Sequence, residues 1–92
     1  MARRTLNYEV EGKIIAQKFD VLRRAATGTP ATLALIIRME RLAAQCIEKR
    51  LPKKAIQCIH SEMRVWIRDG IFYSAPKKDL LAELAAIDEK RA

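Results

Sequence analysis

At 92 residues the chain has room for one hydrophobic core and no second domain. With 50% hydrophobic and 32% charged residues it is too rich in Leu, Ile and Ala for a disordered segment. The formal net charge of +7 points to polyanionic partners, and the two cysteines are too few for a disulfide framework.

The positive charge is uneven. Residues 1–78 hold 16 basic against 7 acidic side chains, whereas 79–92 hold 2 against 4. The longest apolar run, Leu33 to Ile37, is cut by Arg38, so no segment is expected to span a bilayer. The opening residues are basic but no apolar run follows them, so no signal peptide is expected; a cytoplasmic location with reduced thiols follows.

From the start, Leu6, Tyr8 and Val10 alternate with Asn7, Glu9 and Glu11, the period of a half-buried strand over 5–11. Leu6, Val10 and Ile14 also lie four apart, as in a helical turn, but Gly12 reads as a break and favours the strand. Residues 13–27 then take the helical period. Ile14, Ile15, Phe19, Val21, Leu22, Ala25 and Ala26 fall on one arc, with Lys13, Gln17, Asp20 and Arg24 opposite. Arg23 and Arg24 suit the last turn of this helix, and Gly28 suits the positive φ beyond it.

Thr29 and Pro30 open the next helix, about 30–50, as N-cap and first helical residue. Leu33, Leu35, Ile36, Ile37, Met39, Leu42, Ala43, Ala44, Cys46 and Ile47 cover most of its circumference, so it is expected to be the covered, central helix. Pro52 suits the first position of a third helix, 52–69, joined to the second by a turn short enough to make the two antiparallel neighbours. Ala55, Ile56, Ile59, Met63, Trp66 and Ile67 give that helix an apolar face, and Gly70 stops it. Ile71, Phe72 and Tyr73 read as an extended segment able to pair with Leu6–Val10. Ser74 and Pro76 precede a last helix lined by Leu80, Leu81, Leu84, Ala85 and Ile87. The pattern predicts a mainly α single domain over 1–92, with about four helices around a central helix at 30–50. Two short strands, at 5–11 and 71–74, are a possible addition to it.

One surface has a chemical direction. At about 100° per residue, Lys53, Arg64, Gln57, Arg68, Ser61 and Lys54 occupy neighbouring positions on the third helix, with Glu62 and Asp69 displaced to the next arc. Lys and Arg so spaced neutralise successive phosphates, and Gln57 suits a base edge or sugar. Lys49 and Arg50 add charge in the adjoining turn. A solvated helix face is the plain alternative. The tight pair of helices also invites a helix-turn-helix reading, but Leu51-Pro52 stands where that motif usually has glycine.

Glu40 falls within the apolar arc of the second helix and needs a partner, with Arg23 or Arg64 as candidates. Cys46, Cys58 and His60 lack zinc-ligand spacing, and His60 lacks a nucleophile partner. The three glycines are isolated, so no phosphate loop exists. Neither an enzyme nor a cofactor, metal or small-molecule substrate is expected.

The stretches Glu48-Lys49-Arg50-Leu51-Pro52-Lys53-Lys54 and Arg64-Val65-Trp66-Ile67-Arg68, in one small domain with a strongly charged face, give the whole chain a profile that resembles the small phage-encoded anti-CRISPR inhibitor proteins. The resemblance implies a non-enzymatic inhibitor in the host-cell cytoplasm. Many of these inhibitors are acidic mimics of DNA. A basic one is expected instead to touch guide RNA, or acidic patches of the guide-RNA–protein complex, and obstruct target-DNA pairing. The second expectation is a small basic transcriptional regulator of a phage or mobile element that binds duplex DNA directly.

Overall fold

The computed structural model describes residues 6–72 and 75–91. Helix α1 (Tyr8–Ala25) begins where Asn7, in extended backbone, accepts a hydrogen bond at Oδ1 from the Val10 N–H at 3.2 Å. Glu9 and Glu11 in the first turn and Arg23 and Arg24 in the last complement the helix dipole. The segment expected as a strand is therefore a cap and a first helical turn, and the four-residue spacing of Leu6, Val10 and Ile14 is the one that applies. Gly12 lies inside α1 rather than breaking it. A Cβ there would stand 3.4 Å from Ile47 Cγ2, so the missing side chain lets the next helix approach closely.

Helices α2 (Pro30–Glu48), α3 (Lys53–Arg68) and α4 (Lys77–Asp88) follow, with a 3₁₀ turn at Glu89–Arg91. Thr29 stands at the N-cap of α2 without a side-chain capping bond, and Pro30 takes the expected first position. Pro52 and Pro76 each stand one residue earlier than that, at the N-cap. Each helix packs on its chain neighbour where the connection is short, α3 also meets α4, and α4 closes on α1. The arrangement is a four-helix ring, mainly α as the periodicity predicts.

The expected central helix is not the most buried one. In α1, Glu11, Ile14, Ile15, Lys18, Phe19, Val21 and Leu22 are buried; in α2 only Thr32, Ile36 and Ala43 are. Leu35, Ile37 and Leu42 of α2 remain 41%, 37% and 48% exposed. Apolar residues surround α2, but among the described residues only one of its sides is covered. The core proper joins Ile14, Phe19 and Leu22 to Ile36, Ile56, Met63, Ile67, Phe72 and Leu84.

No strand forms among the described residues. Of the segment expected at 71–74, Ile71 and Phe72 are described, and Tyr73 and Ser74 lie outside the described residues. Phe72 is buried in the core, and the Ile71 carbonyl accepts a 3.2 Å hydrogen bond from Thr32 Oγ1, which ties the connection to α2 instead.

Candidate binding face and the polar chain beneath it

The apolar side of α3, Ile56, His60, Met63 and Ile67, is buried. The stripe flanks this buried side, and Lys53, Lys54, Gln57, Ser61, Arg64 and Arg68 are all exposed. Arg64 Nη2 donates to Ser61 Oγ at 3.2 Å, which steadies the guanidinium along the helix. Lys77, first residue of α4, donates from Nζ to the Arg68 carbonyl at 3.0 Å. It covers an open carbonyl at the end of α3 and brings a further cation to that end of the stripe.

At the other end, Lys49 is exposed and Arg50 is held. Arg50 adopts φ 55, its Nη1 donates to the Ile47 carbonyl at 2.8 Å, and its guanidinium carbon lies 5.2 Å from the centre of the Tyr8 ring. The Tyr8 hydroxyl in turn meets the carbonyls of Leu51 and Arg50. Five of the seven expected residues, Lys53, Lys54, Gln57, Arg64 and Arg68, thus share one helix face. Lys49 adjoins it, and Arg50 is engaged in holding the α2–α3 turn against α1.

The ion pairs among the described residues lie elsewhere. Lys18 pairs with Asp88, Arg23 with Asp20 and Glu40, and Arg24 with Asp20, while His60 hydrogen-bonds to Glu11. None takes a cation from the stripe. Glu40 has the partner its position demanded: Arg23 Nη1 stands 2.7 and 3.0 Å from its two carboxylate oxygens. Hydrogen bonding to Asp20 first, then the charge of Glu40, raises the Arg23 pKa against the opposing effect of desolvation.

Beneath the face runs a polar chain, buried at Glu11, Lys18 and His60 and half-buried at Asp88. Lys18 Nζ lies 2.7 Å from Asp88 Oδ1 and 2.9 Å from His60 Nδ1, and His60 Nε2 lies 3.3 Å from Glu11 Oε1. An ammonium group only donates, so His60 accepts at Nδ1 and donates from Nε2 to the carboxylate. The chain links α4, α1 and α3. A cleft of about 130 Å³ lined by Glu11 and His60 also touches Lys53 and Gln57, so its inner end opens beside the stripe.

Sequence reasoning missed Lys18 and Glu11. Their signal was present: both fall within the arc of Ile14, Ile15, Val21 and Leu22, the same test that singled out Glu40. Cys46 and Cys58 are free thiols on facing helices. Among the described residues no three His, Cys, Asp or Glu side chains are grouped to hold a metal ion, and no helix is long and apolar enough to cross a membrane. No family model, curated protein or solved structure matches the chain.

Proposed function

We propose that this chain is a non-enzymatic binding protein that lays the outer face of α3 on a nucleic-acid-containing complex in the cytoplasm and blocks it. One observation carries this reading. Lys53, Lys54, Arg64 and Arg68 stand exposed on a single rigid helix, and none of them enters an ion pair among the described residues. Cations carried on one helix face meet a phosphate backbone together, and each one neutralised releases counterions. Gln57, in the same row, adds a neutral donor and acceptor for a sugar or base.

The finer reading follows from the whole-chain profile. The complex is a guide-RNA–protein CRISPR effector, and the step obstructed is its pairing with target DNA. The test is a gel-shift series in which the effector, loaded with guide RNA, meets labelled target DNA with and without this protein. Inhibition by the wild type that Arg64→Glu and Arg68→Glu each weaken supports the proposal. Equal inhibition by both variants removes the stripe from it. Tight binding to naked duplex DNA, with a salt slope that falls by about one for each lost cation, supports the direct DNA regulator instead.

A further inference from the structure

Leu35, Met39, Leu42 and Cys46 recur along α2 at steps of four, three and four, the spacing of a seam that packs on another helix. The seam is not spent inside the molecule. Leu35 and Leu42 stay exposed, while Met39 and Cys46 are only partly buried. Across from it α3 sets Cys58, Ile59, Glu62 and Trp66, and a groove of about 220 Å³ runs between the two helices. Among the described residues, Glu62 is the one charged residue lining it. Val65 adds an exposed apolar side chain on the same side of α3. Contiguous apolar surface of this kind, continuous with a heptad seam, marks a helix-docking site.

We propose that a second copy of this chain fills the groove, its α2 lying parallel to the first along the Leu35–Cys46 seam. The charges beside the groove favour a second copy over a foreign helix. Arg38 flanks the seam on the outer side of α2, exposed and in no ion pair among the described residues. Glu62 lines the same groove as Met39 from the α3 side, equally exposed and in no ion pair among the described residues. A two-fold axis along the seam brings Arg38 of each copy to Glu62 of the other, so one surface supplies both halves of two symmetric pairs. An antiparallel arrangement puts both α3 helices on one side and forms neither. Of the stripe's cations, Lys53 and Arg64 lie on the side of α3 turned away from the groove.

Sedimentation velocity on the full chain tests this. The expected mass rises from 10.5 kDa toward twice that value between about 1 and 200 µM. Leu42→Glu is expected to keep the helical circular dichroism and remain monomeric throughout. Arg38→Glu and Glu62→Arg should each weaken the dimer about tenfold, and the combined exchange should restore most of the loss. A wild type that stays monomeric over the whole range overturns the proposal, whether or not another protein occupies the groove. A dimer indifferent to Leu42→Glu, or a combined exchange no better than the single ones, overturns it as well.

Discussion

The two sides of α3 handle polar groups in opposite ways. On the inner side His60 is locked between Lys18 and Glu11, and Lys18 reaches on to Asp88, so each group taken out of water finds a hydrogen-bonding partner. On the outer side Lys53, Lys54, Arg64 and Arg68 keep their hydration and enter no ion pair among the described residues. Desolvated charges are costly unless paired, whereas solvated ones cost the fold little. The inner set thus belongs to folding, and the outer set is available to a partner. The difference between them is measurable, because the same kind of substitution should act on stability in one set and on binding in the other.

The largest effect is expected at Lys18, which is 1% exposed. Lys18→Ala removes the buried ammonium that meets both Asp88 and His60 and empties the space its stem fills, at a cost of about 3–5 kcal/mol. For a domain of this size that lowers the melting temperature by roughly 12 °C or more, read by circular dichroism. Lys18→Met keeps the volume and should recover only part of the loss. A change below about 1 kcal/mol in Lys18→Ala would mean that the inner chain is no more demanding than the surface, and the comparison fails.

A second contrast lies within α2. Ile36 is fully buried and Leu42 is 48% exposed. Ile36→Ala should cost about 2–4 kcal/mol and Leu42→Ala less than about 1 kcal/mol, measured by urea unfolding at low protein concentration. Equal costs would mean that α2 is covered on both sides after all.

On the stripe, Arg64→Glu and Arg68→Glu should each leave stability within about 0.5 kcal/mol of the wild type while weakening binding to the nucleic-acid complex we propose as partner. Loss of stability in these variants would merge the two sides of α3 into one structural unit.

Much of the ring was legible because its punctuation is strong. Gly28 and Gly70 have φ of 89° and 77°, as helix stops of this type require, and Pro30, Pro52 and Pro76 all stand at helix entries. The first turn was misread because, over six residues, alternation and four-residue spacing select overlapping positions; the Asn7 cap decides between them. The error about α2 has another origin. Periodicity reports which faces are apolar, but coverage depends on how much chain remains to pack there. Glu40 was legible as a paired acid because it interrupts an apolar arc. Lys18 and Glu11 interrupt one too, yet only the fold brings His60 and Asp88 from two other helices to meet them.

The smallest expected effect is at Arg50, and it sharpens the boundary between the two charge sets. Helices α2 and α3 end in the same way. The Leu51 N–H bonds to the Cys46 carbonyl and the Arg50 N–H to Ile47, just as Ile71 bonds to Trp66 and Gly70 to Ile67. The left-handed position is glycine in one turn and arginine in the other. Arg50→Gly relieves the backbone by up to about 1 kcal/mol and forfeits a Tyr8 contact of about 0.5–1 kcal/mol, so unfolding should be nearly unchanged. Arg50→Ala keeps the backbone strain and loses the contact, and should destabilise by about 1 kcal/mol relative to the glycine variant. If Arg50 belongs to the turn rather than the stripe, Arg50→Gly also leaves nucleic-acid binding close to wild type while Arg64→Glu does not. A loss equal to that of Arg64→Glu would move Arg50 into the binding face and extend it around the end of α2.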